Sequence, residues 1–319
     1  MTVVRYGLDV LTHDINSVVT VGTFDGVHCG HQGIIKRMHE TAAPLQSRVV
    51  VVTFDPHPQI VLNKPGRKPV KLLTTLEERL AVFESLNVDL VVVLPFTKEF
   101  ATTPPDEFVV KVLVGGIGMH TVFVGHDHMF GKDRAGNEAL LEQLGTVFGF
   151  AVAPVPPLEC NNIVVSSTMI RETLYQGNVE EAQQMLGRPY MYSGVVVHGD
   201  GRGRAIGTPT ANLECTHPNK LLPAYGVYVV SATVNGIDYQ GVASIGVRPT
   251  FIEDGEPLLE VHLFDTDADL YGETVTVAFH RFLRTELRFD SKESLIAQMH
   301  NDIQQAQTFF QTHFVRTSS

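Results

Sequence analysis

The chain has 319 residues, of which 44% are hydrophobic and 18% charged, and its formal net charge is −11. This length and hydrophobic content predict a globular protein of two domains with enough apolar side chains for its cores. The negative charge argues against a nucleic-acid surface or a polybasic membrane face. Anionic substrates remain compatible, because backbone N–H groups and a few basic side chains can bind phosphate.

The three cysteines, Cys29, Cys160 and Cys215, are scattered, and the sequence contains no CxxC pair. This pattern supports neither a disulfide framework nor a zinc site. No apolar run is long enough to span a membrane, and residues 1–14 lack the hydrophobic segment of a signal peptide. We therefore expect a cytoplasmic protein without nucleic-acid or membrane partners, and the sequence leaves the oligomeric state open.

The first half alternates apolar strands with helical patterns. Strands are predicted at Val18–Val21, Val49–Phe54, Val88–Leu94, Thr121–Val124 and Ala151–Val155. Helices are predicted at 74–86, which has a capping box of Thr75 and Glu78, at 106–114, which Gly115-Gly116 closes, and at 136–148. Continuous apolar strands separated by helices favour a parallel sheet covered on both faces, and hence an α/β fold.

Two short predicted helices lead to the domain boundary. Ser167 or Thr168 begins the first, and Asn178 with Glu181 forms a capping box for the second, which Gly187 closes. Pro189 prevents the second helix from continuing, and the sequence pattern changes after it. We therefore place the domains at 1–187 and 188–319.

The second half consists mainly of closely spaced predicted strands. They cover Tyr192–His198, Tyr225–Thr233, Ile237–Ile245, Leu258–Phe264 and Glu273–Phe282. Asn235-Gly236 is a strong hairpin signal, because both positions of that turn require positive φ. Such strands with turn signals predict a small antiparallel barrel, and an apolar stripe from about Ser291 predicts a terminal helix.

The most informative motif is Gly22-Thr-Phe-Asp-Gly-Val-His-Cys-Gly-His31, between the first predicted strand and a helical pattern. Glycine lets the backbone approach a ligand closely, and a helix N-terminus presents N–H groups and positive potential to a phosphate. His28 and His31 are then placed to meet charge that develops on a phosphoryl group. The strand–turn–helix context therefore predicts a phosphate-handling site at this turn.

Three further clusters accompany this motif. Thr53-Phe-Asp-Pro-His-Pro58 ends the second strand and 126–132 follows the fourth, both at the edge where open α/β sheets bind ligands. Ser166-Ser-Thr-Met-Ile-Arg171 begins a helix and offers hydroxyls and a guanidinium to phosphate oxygens. Each cluster alone has a structural explanation, such as a turn at Asp127 or a cap at Ser167, but together they favour one shared site.

The motifs at 22–31, 53–58 and 166–171 closely resemble the adenylyltransferase module of bacterial bifunctional riboflavin kinase/FAD synthetases. The resemblance implies a Rossmann-like nucleotidyltransferase fold and transfer of AMP from ATP to FMN, with Mg²⁺ on the phosphates. It implies that His28 and His31 are catalytic and contact the ATP phosphates, and that Pro56 and Pro58 lie at the flavin. The other residues that it places at ATP are Gly22, Phe24, Asp25, Gly30, Asp127, Ser166, Ser167, Thr168 and Arg171. Met129 stands where the family usually has an arginine.

The segment 201–212 is rich in glycine and contains two arginines, but it lacks the lysine and the spacing of a P-loop. It is either a basic surface loop or a phosphate-binding loop followed by Thr210 and Asn212, whose oxygens suit Mg²⁺. On the strand at 258–264, alternation places Glu260 and His262 on one face. There Glu260 either accepts a proton from a substrate hydroxyl or is simply exposed.

Three segments, 203–212, 246–251 and 260–265, closely resemble the riboflavin kinase module of the same family. The resemblance implies a six-stranded barrel that phosphorylates riboflavin at its 5′-hydroxyl with ATP. It implies that Glu260 is the base, that Thr210 and Asn212 hold the metal, and that Arg284 and the final helix close the flavin site. The residues that it places at Mg-ATP are Gly203, Gly207, Thr208, Thr210 and Asn212.

The interpretation is a two-module enzyme whose C-terminal half makes FMN and whose N-terminal half makes FAD. Alternatives are a riboflavin kinase with a weakened adenylyltransferase half, a flavin-binding regulator without turnover, and a nucleotidyltransferase that acts on another acceptor. His28, His31, Asn212 and Glu260 argue against the regulator, because binding alone requires neither a base nor a metal ligand.

Overall fold

The computed structural model describes residues 1–314 except 64, 65, 67, 68, 126–128, 133, 134, 161, 162, 200–207, 216, 248–256 and 267. The chain divides into two compact units, Met1–Ser167 and Thr168–Ser319. The first unit is built on a parallel sheet and the second on a closed barrel. This architecture confirms the predicted fold class.

The first unit contains a six-stranded parallel sheet in the order β1-β4-β3-β2-β5-β6. Its strands are β1 Thr2–Arg5, β2 Ser17–Val21, β3 Arg48–Asp55, β4 Leu90–Pro95, β5 Met119–Gly125 and β6 Ala151–Val155. A small antiparallel hairpin of β7 Glu159–Cys160 and β8 Ile163–Val164 follows. The sheet therefore has one strand more than the five predicted. β1 is a short edge strand in which only Val4 is buried, so it lacks the apolar run of the other strands.

Five α-helices connect these strands. They are α1 Cys29–Leu45, α2 Pro58–Val61, α3 Leu76–Ser85, α4 Pro105–Phe108 and α5 Glu138–Phe148, with a 3₁₀ turn at Phe100–Thr102 and a π-helix at Val109–Ile117. The predicted capping box of α3 is confirmed, because Thr75 and Glu78 each accept a hydrogen bond from the other's backbone N–H.

The predicted helix end at Gly115-Gly116 is wrong. The π-helix continues through both glycines to Ile117 and ends at Gly118, which has φ +84°. Leu113 and Ile117 are both buried in the core, so their packing keeps the segment helical. This burial outweighs the helix-propensity cost of the glycines, which is about 1 kcal/mol each.

The valine-rich strands bury side chains on both faces of the sheet. On β3, Val50 and Val52 pack in the cluster that contains Leu113 and Ile117, whereas Val51 packs in the cluster that contains Ile35 and Phe83. Successive side chains of a strand point to opposite faces, so a continuous apolar run is what a sheet between two helical layers requires.

The second unit is a closed antiparallel barrel in the order β10-β13-β12-β11-β14-β9. Its strands are β9 Tyr190–Val197, β10 Ala211–Glu214, β11 Gly226–Val234, β12 Ile237–Val247, β13 Pro257–Leu263 and β14 Thr274–Arg284. The Asn235-Gly236 hairpin is confirmed, with positive φ at both residues. The strand pattern did not predict β10, because a four-residue strand containing Ala211 and Asn212 carries little strand signal.

The remaining helices are α6 Ser167–Tyr175, α7 Val179–Leu186 and α8 Lys292–Phe314. Gly187 ends α7 in the left-handed conformation, as predicted. The predicted capping box at Asn178 is wrong: ψ is 65°, outside the extended range of an N-cap, and the side chain donates to Gln176. The compact units divide after Ser167, and α7 packs on the barrel through Glu180 and Arg281. The functional boundary at 187/188 stays a prediction.

Gly118 provides a test of backbone packing in the first unit. A Cβ there would lie 2.4 Å from the backbone of Asp14, whereas Gly149, which also has positive φ, has no atom within 4 Å of a Cβ. We expect Gly149→Ala to lower the free energy of unfolding by about 1–2 kcal/mol and Gly118→Ala by clearly more. Calorimetric unfolding of both variants measures the difference, and equal losses would contradict the close approach at Gly118.

Candidate active sites

The carboxyl ends of β2 and β5 mark the point where the strand order of the sheet reverses. From β2 the chain runs to β3 and β4 on one side, and β5 then pairs with the other side of β2. Open α/β sheets bind ligands at such a switch point. The loop at 22–28 follows β2 here, and 126–128, which includes the predicted site residue Asp127, lies outside the described residues.

His28 and His31 form one aromatic stack at the start of α1. Their ring centroids are 3.7 Å apart with an interplanar angle of 21°, and Phe24 lies 4.9 Å from His31. His28 occupies the N-cap position, but its side chain makes no capping hydrogen bond to the helix. A Cβ at Gly30 would lie 3.2 Å from the His28 ring, so glycine here makes room for the imidazole. The predicted histidine pair is thus brought together at a helix N-terminus.

The loop that carries the histidines is held in an unusual backbone conformation. Phe24 and Val27 both have positive φ, at +50° and +40°, and both are buried. L-residues adopt this region at a cost, especially β-branched ones such as valine, and such strain persists only where the surroundings fix it. The loop therefore needs specific anchors.

Asp25 is the main anchor of this loop. Its buried carboxylate accepts hydrogen bonds from the backbone N–H groups of Leu73 and Thr74, at 3.0 Å each, and from the Thr74 hydroxyl at 3.3 Å. The Thr74 hydroxyl oxygen in turn accepts from the backbone N–H of Gly26 at 2.9 Å. Asp25 was predicted to contact ATP, and these bonds show a carboxylate that joins the histidine loop to the segment before α3.

Ser167 joins the same loop from the far end of the unit. Its hydroxyl donates to the backbone carbonyl of Asp25 at 2.8 Å, and the neighbouring Ser166 is exposed. One hydroxyl of the predicted phosphate cluster, that of Ser167, therefore contacts the histidine loop. Thr168 and Arg171 belong to the second compact unit, on α6.

The protonation of His31 is set by its surroundings. Burial lowers the pKa of His31 well below its ordinary value of 6.5, and the stacked His28 lowers it further. Within the described part of the chain, the buried Nδ1 of His31 has no hydrogen-bond partner. Without a bound anion the imidazole is therefore neutral near pH 7, and it can respond to the charge of a ligand.

Arg79 on α3 is a buried residue that the sequence did not reveal. Its guanidinium donates to the carbonyl of Thr23 at 2.6 Å, to the Thr53 hydroxyl at 3.0 Å and to the carbonyl of Phe54 at 3.2 Å. Asp55 lies 3.8 Å away. Arg79 thus ties the loop after β2 to the end of β3. Arg79 lies on a helix rich in charged residues, where the sequence suggests a solvent-exposed side chain. Only the tertiary fold shows that it is buried.

A row of phenylalanine rings begins with Phe54 near the carboxyl end of β3. Consecutive centroids are separated by 5.6–6.1 Å along Phe54, Phe96, Phe100, Phe108 and Phe130. Pro56 follows Phe54 after one residue, and Pro58 begins α2. The predicted flavin residues Pro56 and Pro58 therefore follow directly on one end of an aromatic row that only the fold brings together.

In the second unit, a cavity of about 320 Å³ lies between the barrel and α8. Its wall includes the predicted residues Thr210, Glu260 and Arg284, together with apolar side chains. The apolar part of the wall is formed by Val227, Val242, Leu287, Phe289, Leu295, Met299 and Ile303. We name this space the helix cavity. Seven of its lining residues are apolar and seven are polar or charged, and a concave pocket that combines the two is typical of a small-molecule site.

Arg284 fastens α8 to the end of β14. Its guanidinium makes three hydrogen bonds to the carboxylate of Asp302, the shortest 2.7 Å, and Gln298 donates to the same carboxylate at 2.8 Å. Asp302 is almost fully buried and also lines the helix cavity. A buried and well-bonded ion pair of this kind fixes one wall of the cavity, and removal of either partner would strand a charge.

A second cavity of about 280 Å³, here named the loop cavity, lies between β9, β13 and residues 266 and 268–271. Pro209, Thr210 and Tyr271 line it, and Thr210 lines both cavities. Asn212 is buried opposite Glu260 in the β10–β13 register, and its amide leaves no room for a Cβ at Gly199. Thr208 is buried with its hydroxyl 3.9 Å from the sulfur of Met299. Gly203 and Gly207 lie outside the described residues.

Asp25 gives a test of the loop anchor. Asp25→Asn keeps the volume but turns one acceptor oxygen into an NH₂ group that faces N–H donors. We expect the free energy of unfolding to fall by about 1–3 kcal/mol and amide exchange of Leu73 and Thr74 to accelerate. The exposed Asp106→Asn should change stability by less than about 0.5 kcal/mol. Unchanged exchange at both amides in Asp25→Asn would refute the anchor.

The lowered pKa of His31 predicts a pH dependence of stability. The unfolded chain protonates His31 near pH 6.5, whereas the folded first unit resists protonation until a lower pH. Stability should therefore fall as pH drops below about 6.5, and His31→Gln should flatten that part of the curve. Urea unfolding at several pH values measures both proteins. Identical curves would show that His31 titrates alike in both states.

Two family models match the chain, FAD synthetase over residues 11–169 and riboflavin kinase over residues 186–310. The bifunctional riboflavin kinase/FMN adenylyltransferase of Listeria monocytogenes is 40% identical over 297 residues, which cover 93% of each chain. The enzyme of that name from Pseudomonas fluorescens is 40% identical over 286 residues, 90% of each chain.

A solved structure described as a macrolide-efflux protein from Streptococcus pneumoniae has a TM-score of 0.85 and 33% identity, covering 96% of this chain and 99% of its own. Among the helices of the described residues, none is long and apolar enough to cross a membrane. The two halves of the chain thus match the FAD synthetase and riboflavin kinase families in turn, and relatives with both activities in their name match most of its length. The chain belongs to the family of bifunctional riboflavin kinases/FMN adenylyltransferases.

Proposed function

We propose that the second unit phosphorylates riboflavin to FMN and that the first unit transfers AMP from ATP to FMN, giving FAD and pyrophosphate. The observation that carries the kinase assignment is Thr210, which lies between two cavities, one of which contains the carboxylate of Glu260. For the adenylyl transfer, the corresponding observation is the histidine stack at the switch point of the sheet. Family membership supports both reactions.

In the adenylyl transfer, a phosphate oxygen of FMN attacks the α-phosphorus of ATP, and pyrophosphate leaves from the opposite side. Catalysis then depends on alignment and on stabilisation of phosphate charge. His28 and His31 donate hydrogen bonds to phosphate oxygens at the positive end of α1. The other residues of the first unit that we assign to the nucleotide site are Gly22, Phe24, Asp25, Gly30, Asp127, Ser166 and Ser167.

The FMN ring system binds at the phenylalanine row of the first unit. A flat, electron-poor ring system gains both apolar burial and stacking on aromatic side chains. Phe54, Phe96 and Phe100 are only half-buried, so their rings have surface left for a ligand. Pro56 and Pro58 border this surface and limit where the flavin can lie.

In the kinase, riboflavin occupies the helix cavity and ATP the loop cavity. Glu260 accepts the proton of the riboflavin 5′-hydroxyl. The hydroxyl oxygen then attacks the γ-phosphorus of ATP, and ADP leaves. The apolar wall of the helix cavity suits the isoalloxazine ring, and Arg284 with α8 closes it. The residues that we further assign to ATP binding are Thr208, Gly203 and Gly207.

Mg²⁺ enters this proposal as the metal bound with ATP, held by Thr210 and Asn212. The donor set fits, because Mg²⁺ prefers oxygen, takes one or two protein ligands and completes its shell with phosphate and water. Among the described residues, no group of three or more His, Cys, Asp or Glu side chains could hold a metal without the nucleotide. When bound, the ion neutralises charge on the phosphates.

A riboflavin kinase with a weakened adenylyltransferase half is the second candidate. Met129 stands where the family usually has an arginine, and its side chain is half exposed and brings no charge. A cytoplasmic location also belongs to the proposal, supported by the three free cysteines. Riboflavin, FMN and ATP are the proposed partners.

Separate assays with riboflavin or with FMN, each with Mg-ATP, test both reactions in the full chain. Wild type should form FMN and FAD respectively, measured by chromatography. Glu260→Gln should lower FMN formation by about 100-fold or more, because the amide cannot accept the proton, and it should spare FAD formation from supplied FMN. His31→Gln should do the reverse.

Each outcome of these assays separates the candidates. FMN formation without any FAD would reject the bifunctional proposal in favour of the weakened adenylyltransferase half. Equal loss of both activities in Glu260→Gln would contradict separate sites. Binding of flavins with neither product would reject both enzyme candidates in favour of the regulator, unless pyrophosphate release with another acceptor reveals a different nucleotidyltransferase.

A further inference from the structure

His262 contacts the segment that separates the helix cavity from the loop cavity. His262 lies on β13 two residues after Glu260, on the same face, and both line the helix cavity. The Nδ1 atom of His262 lies 2.8 Å from the backbone carbonyl oxygen of Pro209, which lines the loop cavity. A carbonyl oxygen only accepts, so Nδ1 is the donor.

This hydrogen bond lies just outside the barrel ladder. Backbone pairing of β10 with β13 begins at Ala211 opposite Val261 and continues with Asn212 opposite Glu260. Extending the register outward would place Thr210 opposite His262 and bring Pro209 alongside β13. Proline has no N–H to donate to a neighbouring strand, but its carbonyl can still accept a hydrogen bond. The imidazole of His262 donates to that carbonyl and so ties the segment before β10 to β13.

Thr210 is the residue whose position depends on this contact. It follows Pro209 directly, precedes the paired Ala211 and lines both cavities. On one side it is held by the β10–β13 ladder, and on the other by the bond from His262. The ring of His262 is itself positioned edge-on against Phe264, with centroids 5.8 Å apart.

We propose that His262 is a positioning residue for riboflavin phosphorylation. Its Nδ1–H holds in place the Pro209–Thr210 segment, which separates the two cavities and past which the phosphoryl group moves from ATP to riboflavin. This inference rests on the proposed kinase reaction. The imidazole acts through Thr210 and takes no proton from the substrate. Loss of the bond moves the phosphate-side oxygen ligand relative to Glu260, and displacement of reacting groups by about 1 Å can cost about 100-fold in rate.

The test uses the geometry of side-chain amides. The amide nitrogen of asparagine is attached to Cγ, as Nδ1 of histidine is, whereas that of glutamine is one bond farther and corresponds to Nε2. We expect His262→Leu and His262→Gln to lower kcat/KM for Mg-ATP in the kinase assay by about 10- to 100-fold. His262→Asn should stay within about threefold of wild type, because it retains a neutral donor at the same place. Riboflavin affinity, measured by fluorescence quenching, should change less than about twofold in all three.

FAD formation from supplied FMN in the same chain shows that the first unit is intact, and the exposed His300→Leu on α8 is the matched control. Rescue by glutamine instead of asparagine would overturn the proposal, because it would place the role at Nε2. Wild-type rates in His262→Leu would overturn it too. Absence of FMN formation by wild type would instead reject the kinase assignment itself.

Discussion

The carboxylate of Asp25 is buried, and a buried charge is tolerated only when hydrogen bonds replace its water. Leu73 and Thr74 supply those bonds, which forces the segment before α3 against the turn after β2. That constraint holds Phe24 and Val27 at positive φ, and it thereby aims His28 and His31 at the switch point of the sheet. Arg79 also holds this turn, because its guanidinium donates both to the carbonyl of Thr23 and to that of Phe54 on β3. The proposed phosphate site is therefore a strained loop fixed by two buried charged residues of opposite sign.

In the second unit, side-chain hydrogen bonds hold the segments beside the barrel in place. A closed barrel has no free edge, but the backbone pairing of β10 with β13 begins only at Ala211, two residues after Pro209. Side chains make further contacts there: His262 donates to the carbonyl of Pro209, and Arg284 binds Asp302 on α8. His262, Arg284 and Asp302 all line the helix cavity, so this cavity lies where the barrel's own hydrogen bonding ends.

The sequence was most informative where one local rule governs the outcome. Valine runs predicted the parallel strands, Thr75 with Glu78 predicted the cap of α3, and Asn235-Gly236 predicted its hairpin. The predictions from the sequence were wrong where tertiary packing overrides local preference. Gly115-Gly116 does not stop a helix whose apolar side buries Leu113 and Ile117, and Asn178 lacks the extended backbone that a cap needs. β1 and β10 are too short to carry a pattern. Arg79 and the phenylalanine row become recognisable only when separate strand ends are brought together.

The stacked histidines have a consequence for how the first unit meets its nucleotide. Two imidazoles 3.7 Å apart cannot both carry a proton cheaply while the site holds no anion, and burial already favours the neutral form of His31. In the proposed nucleotide site, a polyphosphate would supply the opposite charge and raise the proton affinity of His31. Nucleotide binding would then be coupled to proton uptake. The affinity for ATP would rise as the solution becomes more acidic within the range where the free His31 is neutral, and the heat of binding would depend on the buffer that gives up the proton.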